Sequence, residues 1–598
     1  MHLLNKKLLV LTFASTLILT ACRTNEATSQ DASESTTETS ANESAEAAFP
    51  LATTNEEEAI DGGVLNYALV TDTPFQGIMS PEFKANAYDA QLLSFNMEPM
   101  FSIDESFRLS NDGYATYEFD EANNQVTIRL TEELNWSDGE PITSEDLVFP
   151  YAVLGHPDYP GTNFGEAYLN IAGMEAYNKG EAETISGITV VDDLTIEIEY
   201  LKTTPSLLQS GGGIWEYPMP KHHLEGIEVA DMPSAPEIRE NPVGTGPFKV
   251  ESIVPGESVH YVVNEHYWKG EPGVAEVVAE TVPTSTISIA MENGEYDIAS
   301  MPAGEYDAYK DLENIALLGQ PDTQYSYLGF KMGKWNEEEG INVLDPDAKL
   351  ADKELRQAIA YAIDNDAVGE QFYNGLQMRA TSPIAPAYEE YHNAELTGYS
   401  YNPEKAMELL DEAGYVDTND DGFRETPVGE ELVINYAGMS GSEEAEPITD
   451  YYIQQWEAVG LNVDLVDGRL MEFQDFYNRV HVDDEAIDMY KGAWSTGSDP
   501  NPSGLYGPRE IYNYPRWATE ENTQLLDNIS SQEAFDHEYQ INAYHEWQAY
   551  FMEEVPALPL LNPTELIAVN NRVKNYDITR GNPNGWEVVE LTAVEPAQ

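Results

Sequence analysis

The 598-residue chain carries 107 acidic against 29 basic side chains, a formal charge of −78 at pH 7. A field of that sign excludes nucleic acid and anionic membrane surfaces as electrostatic partners, and its even spread reads as adaptation to brine or alkali rather than as a site for cationic solutes. A lone cysteine, Cys22, excludes an intrachain disulfide and cysteine-based chemistry in a lipidated protein, and the length exceeds the ~250–300 residues one core supports, so two large lobes are expected.

Lys6 and Lys7 form a short basic start, and Leu8 to Leu19 is an apolar run of 12 residues. Spanning a bilayer needs roughly 20; this is the length of a signal-peptide core. The run ends Leu19-Thr20-Ala21-Cys22, which looks like a bacterial lipobox. Residues 1–21 are therefore expected to be a lipoprotein signal peptide, and Cys22 to carry the lipid. Two or more acyl chains anchor stably where one does not. Residues 22–60 are rich in Ser, Thr, Glu, Ala and Asn, too polar to offset the entropy of ordering them, and read as a disordered tether.

Beyond the tether, strand and helix patterns alternate. Val64 to Val70 reads as a strand after Gly62-Gly63, and Gln125–Leu130 and Leu194–Tyr200 alternate apolar and polar as half-buried strands do. Gly211-Gly-Gly213 lacks a following Lys-Ser/Thr and is no phosphate loop, and Gly244-Thr-Gly246 precedes a strand and is a turn. His222-His223 are adjacent and poorly placed to share one metal. Asp352 to Asp364 predicts a helix with Leu355, Ile359 and Ala362 on one face. Another opens at Asn402-Pro403 and stops at Gly414, with a capping amide, a proline that loses no bond and a glycine exit. Asp417, Asn419 and Asp421 with Gly422 match the first half of a calcium loop, and Glu425 falls at its ninth position, but Val428 stands where the bidentate glutamate belongs. A structural calcium and a metal-free Asx-rich turn both remain open there; no other cofactor is expected. Glu431–Tyr436, a helix to Val459-Gly460 and Leu461–Leu465 form a strand–helix–strand unit. The fold class is α/β. There is no Gly-x-Ser-x-Gly elbow and no HExxH, so no catalytic chemistry is expected.

Several segments in order resemble the large extracellular solute-binding proteins of peptide and nickel ABC importers. They are Trp136-Ser-Asp-Gly-Glu-Pro-Ile-Thr-Ser-Glu-Asp-Leu-Val-Phe149, Asn241-Pro-Val-Gly-Thr-Gly-Pro-Phe248, Asn264-Glu-His-Tyr-Trp-Lys-Gly270, Leu355 to Asp364, Tyr401-Asn-Pro-Glu-Lys-Ala and Ala413-Gly-Tyr415, Asp499-Pro500 and Pro556-Ala-Leu-Pro-Leu560. The resemblance implies a two-lobed, type II periplasmic-binding-protein-like clamp with an extra subdomain in the first lobe. Lobe I would hold 61–325 and 557–598, its subdomain about 95–185, and lobe II 326–556. Tyr325–Lys331 and Leu558–Ala568 would be the crossing strands of the hinge.

Ala493-Trp-Ser-Thr-Gly-Ser-Asp-Pro-Asn-Pro502 and Thr71-Asp-Thr-Pro-Phe-Gln76 are more specifically similar to the oligopeptide branch. This implies a lipid-anchored, monomeric receptor on the extracellular face of the cell membrane that delivers oligopeptides to an ABC permease. The alternatives are the same fold binding a nickel chelate, haem or sugar, or a peptide pheromone. Many peptide-binding relatives place an aspartate shortly after the tryptophan to hold the ligand amino group. Here Trp494 is followed by Ser495-Thr496-Gly497, and the next aspartate is Asp499. Asp499 either takes that role or holds its own loop by an Asx turn. Trp494, Ser498, Asn501, Phe75 and Gln76 are the other ligand-contact candidates.

Overall fold

The Gly62-Gly63 break delivers the chain into a strand, Val64–Val70, in the computed structural model of the protein, which describes residues 49–598 apart from 85 and 583. This strand runs parallel to Glu276–Val282 on one side and Ile298–Ser300 on the other. Ser258–Val263 and Phe248–Val254 continue the sheet antiparallel. Leu65, Ala68 and Leu69 are buried, because both faces are covered. Leu92, Leu93 and Phe95 of the helix Ala87–Asn96 pack on one face, and Ile287, Met291 and Tyr309 on the other. Central strands covered twice read as nearly continuous apolar runs.

The extra subdomain is a four-stranded antiparallel sheet in the order Ala115–Asp120, Gln125–Leu130, Thr195–Glu199, Ile188–Asp192. Val126, Ile128, Ile196 and Ile198 point from it into a core of their own with Trp136 and Tyr151. The sheet runs on to Glu199, past the boundary near 185 taken from the family architecture. The helix Ser144–Leu154 on its flank is opened by a reciprocal pair in which Thr143 caps Asp146 and the Asp146 carboxylate takes the Thr143 amide.

The second lobe follows its sequence signals closely. Asp352 caps the helix Lys353–Tyr361, which occupies the predicted stretch, and Asp364 at the end of that stretch caps a further helix, Asn365–Tyr373. Asn402 accepts from the Lys405 amide, Pro403 opens the helix Pro403–Ala413, and Gly414 leaves it at a φ of +89°. Strands Val433–Ala437 and Asn462–Leu465 pair in parallel around the helix Ala445–Ala458, and Met489–Ser495 completes this part of the sheet.

The two lobes share one long strand, Ala557–Asn570. Its later half pairs antiparallel with Ile315–Pro321, and its earlier half with Gln324–Phe330 across a bulge at Ser326/Tyr327. The expected crossing segments thus lie side by side, and the ladder along the long strand is interrupted between Pro321 and Ser326. Beyond it, Arg572 returns to the first lobe: Nε and Nη2 bond both oxygens of the fully buried Asp297 at 2.6 and 2.7 Å, and Nη2 also meets the Val64 carbonyl at 2.9 Å.

The signal segment and Cys22 lie outside the described residues. The tether expectation needs correction at its end, since residues 49–60 are seated on the first lobe. Phe49 packs against Tyr306, Thr53 and Ile60 pair by their amides with Tyr576 and Leu591, and Asn55 Nδ2 meets the Asn571 carbonyl at 2.8 Å. An apolar Phe49 and an edge to pair with suffice to order this polar stretch. Among the described residues no helix is long and apolar enough to cross a membrane.

Candidate functional site

The strand Met489–Ser495 lies against the crossing strand, with Trp494 opposite Tyr325, and feeds directly into the loop 496–501. Alternation puts Tyr490, Gly492 and Trp494 on one face. There the Trp494 ring stacks on Tyr327 at 6.0 Å and on Tyr514 at 5.6 Å. Trp494 is half-buried and packed on the core of the second lobe, a wall held rigid by aromatic neighbours.

The loop after it is fixed by Tyr388. Its hydroxyl donates to the Gly497 carbonyl and meets the Thr496 hydroxyl, both at 2.7 Å. Thr496 in turn donates to the Thr323 carbonyl, between the two strands that pair with the long one, at 2.6 Å. Asp499 sits at the end of this loop, partly open to water but with protein packed closely around it. It accepts the Asn501 amide at 2.9 Å and a hydroxyl bond from Ser206. Both partners are neutral, and no cation is paired with it among the described residues. Burial therefore pushes its carboxyl up to about 6, only partly offset by these two bonds. The Asx turn and the unpaired carboxylate coexist, because the turn uses one oxygen.

Ser206 belongs to the first lobe, so this acid lies where the lobes meet. Asn501 Nδ2 donates to Ser206 Oγ at 3.0 Å and to Ser530 Oγ at 3.1 Å. Gln209 donates to the Tyr391 hydroxyl at 3.1 Å, and Ser106 to Glu390 at 3.0 Å. Phe107, held at a φ of +60° in the turn capped by Asp104, pushes its ring into the second lobe's core, 5.4 Å from Tyr388. These contacts tie Ser106, Phe107, Ser206 and Gln209 of the first lobe to the second lobe.

The predicted residues separate cleanly. Trp494, Ser498, Asp499 and Asn501 come together on one strand and loop. Phe75 and Gln76 do not join them. Phe75 is 4 % exposed in the first-lobe core, and the exposed Gln76 gives its carbonyl to Arg239 at 2.6 Å. The Thr73-Pro74 turn suggested a surface loop, but one aromatic among polar neighbours was enough to pull it inside. Ser206, Tyr388 and Phe107 were not foreseen, since they lie 100 to 400 residues from the Asp499 loop and carry no motif.

Asp417, Asp421 and Glu425 bring carboxylate oxygens within 4.8 Å of one another. The loop is well supplied with donors. Asp417 accepts the amides of Asp420 and Gly422, and Glu425 accepts Thr418 and the Asn419 amide nitrogen at 2.7 Å. The oxygen set suits a hard cation, but Val428 is 80 % exposed and offers no twelfth-position ligand.

A family model for bacterial extracellular solute-binding proteins, family 5, covers residues 113–510, more than half of the chain. The chain belongs to this family. Among solute-binding proteins of this kind, the oligopeptide-binding protein OppA of Lactococcus lactis subsp. lactis is 32 % identical over 506 residues, 83 % of this chain and 84 % of its own. The OppA of strain IL1403 is 31 % identical over 98 % of this chain and 99 % of its own. The solved structure of lactococcal OppA, complexed with an endogenous peptide in the closed conformation, matches with a TM-score of 0.79 at 31 % identity, over 89 % of this chain and all of that one. AppA of Bacillus subtilis, in complex with a nonapeptide, shares the fold at a TM-score of 0.68 and 19 % identity, over 89 % of this chain and all of its own. The two-lobed clamp of the family 5 solute-binding proteins is thus the fold of this protein. The Trp136 signature serves that fold: the Ser137 amide donates to Gly244 and the Gly244 amide to Ser137 Oγ, tying the first family motif to the second.

Proposed function

We propose that this family 5 protein captures oligopeptides outside the cell and hands them to an ABC import permease, with Asp499 taking the ligand's amino terminus. The observation that carries this is an ionisable carboxylate at the meeting of the lobes with neutral partners and no cation. An ammonium ion supplies the missing charge, and burying either charge alone is costly. The peptide main chain would pair with strand edges and loops of the cleft, and the closing contacts from Ser206, Gln209 and Phe107 would then trap it. The peptides bound by the OppA and AppA relatives support the same reading. No histidine lines the Asp499 pocket, which favours peptide over a metal chelate. Lipidation at Cys22, an extracellular membrane-held position and a monomeric state belong to this proposal.

Calorimetric titration with one peptide in free and N-acetylated form tests it. The free form should bind far more tightly; equal affinities would remove the amino-terminal anchor. A calcium ion in the 417–425 loop enters as a structural proposal alone. Millimolar calcium added to chelator-treated protein should raise Tm and leave peptide affinity unchanged, whereas a Tm indifferent to calcium makes the loop a hydrogen-bonded turn.

A further inference from the structure

Between the strand Gln377–Arg379 and the helix Pro403–Ala413 the chain forms neither helix nor strand. Its stretch from Ser382 to Asn393 has the form of an Ω-loop, whose ends meet and whose body carries contacts. Midway along it, Tyr388 fixes the loop of Asp499 through Gly497 and Thr496. Tyr391 receives Gln209 from the first lobe. His392 Nδ1 donates to the Ile384 carbonyl at 2.7 Å and ties the body of the loop to itself.

The neck is held from behind by Gln548, a fully buried side chain of the helix His537–Glu554. Its Oε1 accepts the Ser382 hydroxyl at 2.8 Å and the Asn393 amide at 3.0 Å, one from each end of the loop. Its Nε2 donates to the carbonyls of Tyr391 at 2.7 Å and Tyr544 at 3.0 Å. These partners fix which way the amide points, because the Asn393 N–H can only donate and the carbonyls can only accept. Neither a carboxylate nor an apolar side chain offers both kinds of group at one point. A buried network satisfied at every member holds a single geometry, and without its central amide the Asn393 N–H and the Tyr391 carbonyl lose their partner in the core. Gln548 does not line the Asp499 pocket, whereas Pro383 and Ile384 of the loop do. Resting on the reading of Asp499 as part of the peptide site, we infer that Gln548 is a positioning residue for peptide binding. It acts through the 382–393 loop and Tyr388 on the loop of Asp499.

Gln548→Met keeps the volume and removes the amide; Ser382→Ala removes one neck bond and takes its place if the first variant does not fold. Hydrogen exchange reads the positioning directly. In the variant the amides of 382–393 and of 496–501 should both exchange about tenfold or more faster, while the helix 537–554 stays protected as in the wild type. Calorimetry with one peptide, free and N-acetylated, reads the consequence. The free form should lose about tenfold in affinity and the acetylated form less than about threefold. Adding Tyr388→Phe should then weaken binding no further, since both changes act along one chain of contacts. An unchanged 496–501 loop in the folded variant overturns the proposal, as do equal losses for both peptide forms or losses that multiply in the double variant. A wild type that binds the two forms equally overturns the Asp499 reading instead, and the exchange rates of 496–501 then decide the role of Gln548 by themselves.

Discussion

Replacing Asp499 with asparagine should cost a free-amino-terminus peptide about 2–5 kcal/mol of binding, roughly thirtyfold or more, because the peptide ammonium is then buried without its charge partner. The N-acetylated peptide, which never offered that charge, should lose little. The pH profile gives a second reading of the same group. In the empty protein Asp499 titrates at about 6, so affinity for the free peptide should fall as pH drops through 6, and Asp499→Asn should lack that acid limb. Stability moves the other way. A carboxyl whose folded value is raised stabilises the native state most when protonated, below its ordinary range, and that contribution is lost as pH rises through about 6. Asp499→Asn should therefore stabilise the empty protein by about 1–2 kcal/mol at pH 8 and by nothing near pH 3. Equal losses for free and acetylated peptides, measured by calorimetry, would leave Asp499 a folding role alone.

Arg572→Met should destabilise the first lobe by about 3–5 kcal/mol. Arg572 and Asp297 are 3 % and 0 % exposed. Removing the guanidinium leaves a carboxylate deep in the sheet, still bonded by the Asn66 amide at 2.8 Å but without its counter-charge. The guanidinium also reaches the carbonyls of Val64 and Ala593, so it joins the first strand to the returning C-terminal segment. Unfolding in urea should show an early first-lobe transition, with the second lobe following near its wild-type midpoint. Asp297→Asn added to Arg572→Met should recover part of the loss, because the stranded charge is gone. A single mutant within about 1 kcal/mol of wild type would mean that the pair does not hold the discontinuous lobe together.

Most elements of the second lobe were legible because their signals are local. Asp352, Asn402-Pro403 and Gly414 act within four residues of themselves, and the helices start and stop where those residues require. The site was legible only in part. Trp494 and Asp499 stand on one continuous strand and loop, so their nearness was readable in sequence order. Ser206, Tyr388 and Phe107 reach the same loop through the fold, and nothing near them in sequence announces it. The motifs that carry the family likeness explain the gap, for Ser137 and Gly244 bond each other, Trp136 packs in the subdomain core, and together they hold up the scaffold. Phe75 is the converse case. After a strand and a proline, ligand contact and a surface turn were both open readings, and the ring is buried in the first-lobe core, away from the Asp499 loop.

The central claim is peptide capture, and native mass spectrometry of the gently purified protein lacking its signal segment tests it most directly. The account predicts co-purified masses that match short peptides, released on mild unfolding. A folded protein that carries no peptide, and takes none up from a defined mixture of free peptides, would contradict it.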